Sequence, residues 1–363
     1  MKHSLSKMKT DFVRLIPAAL IFVYATYGTW YLLKEIFTSF VPFTLVSTGL
    51  LVVVVTVLRI PPPNQLAVET ILGKELQEDG GIAVKTVAHR GAGLDAPENT
   101  LEAFTKCHEK GCDVVEFDVM LTSDGVPIIF HDRNTERVSD TNVIVRNSTW
   151  EELSKINVST KHAYRDSFPN TRIPTLEQAV EHMLNMGQRM FIDLKEPNKK
   201  IVPIITKLFK KYPELQSKAV VTSFFPNLIY LIRKSSPNIV CCLAWKQNIF
   251  KDALLNYQEG GRLNKLTKFL IKYTVIALEV VHNWALPRIT YYVLGISVIL
   301  LHKDYVCRGT VEMWNSLGVR VMAWTVNSPI EKQHMTRNLQ ITYLTDTLTG
   351  ENTVHNVALM QNS

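Results

Sequence analysis

Cysteine is scarce in this sequence, and its scarcity excludes two classes of site. The 363 residues hold five, Cys107, Cys112, Cys241, Cys242 and Cys307, an odd number with no CxxC pair. Neither a thiolate zinc site nor a dense disulfide framework is expected, so a catalytic metal would have to sit on oxygen ligands. A basic patch is also lacking. Residues 1–60 carry six Lys/Arg against Asp11 and Glu35, a net +4 of the total +7, which leaves +3 for the remainder. The positive charge flanks apolar sequence, and a nucleic-acid partner is excluded. At 46% hydrophobic and 20% charged residues the chain is not disordered, and it has room for one barrel-sized domain plus extensions.

What is abundant is apolar sequence at the start. The uncharged runs "LIPAALIFVYATYGTWYLL" (15–33) and "IFTSFVPFTLVSTGLLVVVVTVL" (36–58) are separated only by Lys34 and Glu35. Each is long enough to cross a hydrocarbon core of about 30 Å, and their combined length argues against a cleavable signal peptide. Residues 1–60 therefore read as an N-terminal membrane anchor of one or two spans. Lys2, Lys7, Lys9 and Arg14 place the N-terminus in the cytoplasm by the positive-inside tendency. Two crossings would leave the following domain cytoplasmic, and one would leave it lumenal or extracellular. Sequons at Asn147 and Asn157 fit the lumenal side.

Residues 61–81, opening on three prolines, read as a stiff linker. From residue 82 to about 350 short β-branched runs alternate with helical patterns. The strands expected are "IAVKTVAH", "CDVVEFDV", "RMFIDL", "KAVVTSF", "NIVCCLA", "GISVILL", "VRVMAWTV" and "ITYLTD". A helix is expected from Asn99, capped by Asn or Thr and ended by Gly111. Eight βα repeats predict an α/β fold, a (β/α)8 TIM barrel with its chemistry at the C-terminal ends of the strands. "VMLTSDGVPIIFHD" breaks the pattern and reads as a β-hairpin that returns His131 and Asp132 to the barrel mouth. Residues 351–363 are left as a C-terminal tail.

Alternation along a strand puts Glu116 and Asp118 on one face and Val115 and Phe117 on the other. Two inward carboxylates repel and are costly to desolvate, so they need a cation, Mg2+ or Ca2+ by ligand chemistry, unless they are solvated edge residues or partners of arginines. Asp193 and Lys195 repeat the spacing on the next barrel strand, as a third carboxylate with a fixed charge beside it or as a strand-end ion pair. His89 and His131 stand at two strand ends and can act as base and acid. Arg90 suits a phosphate. Trp324 either packs the barrel mouth or stacks on substrate. Glu177 reads as a helix-start residue rather than a ligand.

"AHRGAGLDAPENTLEAF", "EFDVMLTSDGVPIIFHD", "IPTLEQAV", "IDLK" and "WTVN…YLTD" together resemble the glycerophosphodiester phosphodiesterase family over about residues 84–350, most closely its membrane-anchored animal type. The resemblance implies His89 and His131 as the catalytic pair, Arg90 and Lys195 as phosphate-binding groups that assist catalysis, and Trp324 as a substrate contact. It also implies Glu116, Asp118 and Asp193 as ligands of Mg2+. Asp193 departs from the Glu common in the wider family. The implied reaction releases glycerol 3-phosphate and an alcohol, by attack of either the glycerol 2-hydroxyl or water. Implied substrates are glycerophosphoinositol, other deacylated phospholipids, N-acyl ethanolamine diesters and lysophospholipids. The alternatives are a lysophospholipase D and a non-catalytic membrane scaffold for a signalling-protein partner. The implied setting is the lipid bilayer of the plasma membrane, endoplasmic reticulum or other endomembranes.

Residues 246–293 form an insertion longer than a loop and helix need, with seven Lys/Arg against Asp252, Glu259 and Glu279. On a helix from Arg262, one stripe holds Leu263, Leu266, Leu270, Tyr273, Ala277, Val281 and Trp284, and another holds Arg262, Lys265, Lys268 and Lys272. The pattern is a basic amphipathic helix, which serves either to dock on anionic lipid or as an ordinary barrel helix with a wet face.

Overall fold

Alternation of β-branched residues dictates strands with one face toward a barrel interior and one toward helices, and the strands follow it. The computed structural model describes residues 2–74, 86–251 and 265–351, and for residues 2–19, 265, 266 and 268 the backbone alone. The chain divides into two compact units, Met1–Leu58 and Arg59–Ser363.

In the second unit the strands are β1 (Thr86–Ala88), β2 (Val114–Leu121), β3 (Pro127–Ile129), β4 (Arg189–Leu194), β5 (Ala219–Ser223), β6 (Cys241–Trp245), β7 (Val298–His302), β8 (Arg320–Trp324) and β9 (Thr342–Thr345). All but β3 form a closed parallel ring, β1–β2–β4–β5–β6–β7–β8–β9, in which β9 pairs back onto β1. This is the expected eight-stranded barrel. β3 pairs antiparallel with β2, Leu121 facing Pro127, so the "SDG" stretch is the expected hairpin. The register sets Asp118 beside Asp193 on neighbouring strands.

Inward positions supply one core, in which Val87, Val114, Phe191, Val220, Cys242, Val298, Met322 and Leu344 pack together, while Val115, Phe117, Met190 and Ile192 face the surrounding helices. The linker is more than a spacer. After the prolines, Asn64 caps a helix Gln65–Leu72 whose Val68, Ile71 and Leu72 pack into the interior core and close the N-terminal end of the barrel. Buried Arg233 fastens it, donating to the Pro61 carbonyl. Gly295, at φ +58, makes room for the same segment, since a Cβ there would meet the Ile60 carbonyl oxygen at 2.1 Å.

Two boundaries differ from expectation. β1 covers only Thr86–Ala88 of the run expected from residue 82, and residues 82–85 lie outside the described residues. The next helix is Leu101–Glu109 with Thr100 as its cap, whose hydroxyl accepts from the Ala103 N–H, and Asn99 stands outside it at φ +59.

The first unit is one α-helix, Lys2–Leu58, running through Lys34 and Glu35 without a turn. The two expected runs are thus one element, because Lys and Glu are good helix formers and no turn residue separates them. The most apolar 18 residues of its segment Leu20–Leu58 have a mean hydropathy of 2.4. Threonine hydroxyls along it are spent on the preceding turn, Thr29 on the Ala25 carbonyl at 2.8 Å and Thr56 on the Val52 carbonyl at 2.8 Å, as suits an apolar surrounding.

Candidate active site

The C-terminal end of the ring opens on a cavity of about 710 Å³ lined by His89, Arg90, Glu116, His131, Asp193, Lys195 and Trp324 among others. Seven of the eight residues expected at the site line it directly, and the eighth, Asp118, lies fully buried beneath Arg90 and Lys195.

β1 ends at Ala88, and the chain turns through His89–Gly91 with Arg90 at φ +53. The turn packs so closely on the helix behind it that a Cβ on Gly91 would lie 2.8 Å from the Ala103 Cβ. This fixes His89 over the barrel. Its Nδ1 is 2.5 Å from Asp346 Oδ1, a contact that requires the hydrogen on Nδ1 and leaves Nε2, 3.9 Å from Glu116 Oε2, to face the site. Asn327 holds Asp346 in turn, donating to Oδ2 at 2.8 Å and accepting from the Asp346 N–H at 2.8 Å.

His131, delivered by the hairpin, is held in the same way. Its Nδ1 is 2.6 Å from Asp132 Oδ1, and Asp132 Oδ2 accepts from Arg137 Nε at 2.6 Å. Arg137 also forks onto both oxygens of Glu98 at 2.7 Å, and Glu98 accepts from Arg90 Nη1 at 3.0 Å. Burial would raise the Asp132 carboxyl, but His131 and Arg137 outweigh it and bring the group down to about 2. Glu98, mostly buried, is held below its ordinary range by Arg137 and Arg90 against the same penalty.

One oxygen from each of Glu116, Asp118 and Asp193 lies within 4.8 Å of the others, and all three residues are buried. Burial, with the Asp118 charge, pushes Glu116 well above the ordinary carboxylate range. For Asp118 burial acts the same way, but Lys195 and Arg90 override it and hold the group far below that range. Lys195 Nζ bridges Asp118 Oδ1 at 2.8 Å and Asp193 Oδ2 at 2.5 Å, and these carboxylates raise it despite its burial. Arg90 Nε is 3.2 Å from Asp118 Oδ2, and the Arg90 N–H donates to Glu116 Oε2 at 2.9 Å. With all three ionised, as they would be around a metal ion, the carboxylates outnumber Lys195 and Arg90. Among the described residues Asp193 Oδ1 is buried with no hydrogen-bond partner. A divalent cation on oxygen ligands fits that donor set.

The chain matches the family model of the glycerophosphoryl diester phosphodiesterase family over residues 89–347. The chain belongs to that family. Glycerophosphodiester phosphodiesterase 1 of Bos taurus is 32% identical over 288 residues, 79% of this chain and 83% of the bovine protein. The Homo sapiens protein of the same name is 31% identical over 265 residues, 73% of this chain and 78% of the human one. Among solved structures, an Oleispira antarctica phosphodiesterase in complex with the product sn-glycerol-3-phosphate shares the fold at a TM-score of 0.57 and 19% identity, covering 74% of this chain and 96% of the bacterial one.

Sequence reasoning read Asn99 only as a helix start or cap and brought Asp132 to the mouth without a role, and it gave Asp346 no place at the site. The Asn99 amide donates to Asp118 Oδ2 at 2.8 Å and its oxygen accepts from the Asp118 N–H at 3.0 Å, so this residue positions the acidic cluster rather than capping the helix. Asp132 beside His131, and Asp346 in "YLTD", were visible as short motifs without a partner. Glu177 lies exposed in the first turn of Leu176–Asn185 and pairs with Lys211, as a helix-start residue should.

Proposed function

We propose that this enzyme hydrolyses glycerophosphodiesters to glycerol 3-phosphate and an alcohol, with a divalent cation, Mg2+ in the first instance, bound by Glu116, Asp118 and Asp193. The observation that carries the proposal is the pairing of two carboxylate-backed histidines with one buried acidic cluster in a single cavity. When bound, the cation would supply Lewis-acid polarisation of the phosphoryl oxygens. The protein's part is electrostatic and protolytic. Arg90 and Lys195 offset charge that grows on phosphorus-bound oxygen, and both are already fixed by carboxylates. His89 and His131, each with Nδ1 committed, offer Nε2 to take the nucleophile's proton and to protonate the departing alkoxide. Trp324, edge-on to Phe224 with ring centres 5.5 Å apart, walls the cavity where the glycerol portion or its substituent would lie.

The cavity also carries Phe224, Phe225, Ile249 and Leu300. That apolar wall favours diesters with an acyl substituent, N-acyl ethanolamine diesters and lysophospholipids, beside glycerophosphoinositol, and it supports lysophospholipase D action as the second reading. A non-catalytic scaffold would not need the full set of charges. We further assign Leu20–Leu58 to the lipid bilayer as an anchor. The test is hydrolysis by detergent-purified protein of glycerophosphoinositol and a lysophospholipid in parallel. Activity should vanish with EDTA, return with Mg2+, and be absent in His89→Ala. Asp193→Asn should lose cation binding in calorimetry, and persistence of both activity and binding in that variant would refute the ligand set.

A further inference from the structure

Among the described residues two helices are long and apolar enough to cross a membrane. The second, Phe269–Leu294, is 26 residues long, with a mean hydropathy of 1.2 over its most apolar 18 residues. It is inserted between β6 and β7, neighbouring strands paired from Cys242 with Val298 to Trp245 with Leu301. A crossing at this point would carry β7, β8 and β9 to the far side of the bilayer from the strands they pair with. The helix therefore cannot span.

Nor does it bury its apolar stripe in the protein. At about 100° per residue, Phe269, Tyr273, Ile276, Val280 and Trp284, with Leu270 and Val281 beside them, occupy about 140° of the circumference. Each of these is between 48% and 63% exposed. The barrel takes the opposite side, through buried Val275, Glu279 and Leu286. Glu279 Oε1 accepts from the Phe250 N–H at 2.7 Å, and Asn283 Oδ1 accepts from Trp245 Nε1 at 3.2 Å. These bonds tie the helix to the end of β6 and to the segment after it, whose Lys246 and Ile249 line the active-site cavity.

The charge indicates what covers the stripe. Between residues 265 and 294 the sequence has Lys265, Lys268, Lys272 and Arg288 against Glu279 alone, and Glu279 is turned inward. Of the described side chains, exposed Lys272 and Arg288 flank the stripe and no carboxylate does, which complements an anionic lipid surface. Tyr273 and Trp284 are the aromatic types that settle at headgroup level, and Arg288 lies 5.5 Å over the Trp284 ring.

We propose that Phe269–Leu294 lies in the plane of an anionic bilayer leaflet, stripe down, with the cavity mouth beside it, so that acyl-bearing phosphodiesters enter from the membrane. The inference deepens the lipid-linked reading above and rests on the N-terminal anchor for its bilayer. The full-length protein carrying Cys307→Ser is given Val281→Cys, fluorescently labelled, and reconstituted into phosphatidylcholine–phosphatidylserine vesicles with nitroxides at headgroup or acyl-end depth. Stronger quenching by the shallow nitroxide is expected. Absence of lipid quenching, as when a second copy or another protein covers the stripe, overturns the proposal, and so does stronger quenching by the deep one.

A parallel label at Val52→Cys separates the two readings. Its failure to quench, with position 281 quenched, removes the anchor alone, and the reverse removes the present inference. In the activity arm, Val281→Asp with Trp284→Asp should lower turnover of vesicle-borne lysophospholipid at least about tenfold and leave a soluble glycerophosphodiester unchanged. Equal loss on both substrates, or loss on neither, overturns the entry route. The fluorescence arm stands even if the double variant does not fold.

Discussion

His131 is oriented by a chain of charges that ends on the far side of the site: Asp132, then Arg137, then Glu98, then Arg90. Arg137 touches neither histidine, so its role is positioning. Arg137→Ala should lower kcat about 10- to 100-fold with little change in KM, and Arg137→Lys should restore part of the loss by keeping the charge without the fork. A matching fall in thermal stability with an unchanged kcat would instead mark a purely structural contact. Asp132 adds a pH dependence. Its folded value of about 2 lies below the ordinary 3.8, so its ion pairs stabilise the fold fully above about pH 4 and less as pH falls toward 2. Thermal melts of the protein and of Asp132→Asn should differ by about 1 kcal/mol or somewhat more at pH 6 and converge near pH 2. At this scale strand alternation made Glu116, Asp118, Asp193 and Lys195 legible, because their partners lie on the same or neighbouring strands. The histidines' carboxylates were harder in unequal degree. Asp132 is adjacent to His131, whereas Asp346 is 257 positions from His89 and is brought to it only by closure of the ring.

Single elements carry the site as firmly as single residues do. The turn His89–Gly91 exists in its tight form because Gly91, at φ +77, has no Cβ to strike Ala103 and Phe104. Gly91→Ala combines a disfavoured backbone with overpacking, so a loss of about 2 kcal/mol or more in stability is expected, together with activity, since His89 and Arg90 leave with the turn. Retention of full activity in that variant would show that the turn can relax without moving either side chain. Elements with a regular period were read correctly: each of the eight barrel strands and the hairpin lies within or against its expected run. The helix Gln65–Leu72 was missed because three prolines dominate the reading of its neighbourhood, although Val68, Ile71 and Leu72 show the i, i+3, i+4 spacing of a buried face. The insertion is the converse case. The stripe through Leu270, Tyr273, Val281 and Trp284 was visible, but its facing away from the barrel was not, because amphipathicity fixes a face and not its partner.

For the whole molecule the open quantity is the side of the bilayer on which the enzyme works, and the continuous N-terminal helix makes it testable. As the anchor proposed above, a helix without a turn would cross once. With Lys2, Lys7, Lys9 and Arg14 ahead of Leu20–Leu58, one crossing leaves the barrel outside the cytoplasm. The two sequons then become reporters with different expectations. Asn157 has no free amide to offer, since its Nδ2 donates to the Pro169 carbonyl at 2.9 Å while its oxygen accepts from the Ser159 N–H at 3.1 Å and the Thr171 N–H at 3.2 Å. Asn147 is exposed at the end of the short turn Val145–Asn147. A protein made in animal cells should therefore carry a single endoglycosidase-sensitive glycan that disappears in Asn147→Gln and persists in Asn157→Gln. A chain without any glycan would place the barrel in the cytoplasm, and the N-terminal helix would then have to enter the bilayer without crossing it or insert with its basic end outward. A glycan on Asn157 would require the loop from Asn157 to Thr171 to stay open until glycosylation is complete, because the closed loop holds that amide against the Pro169 carbonyl.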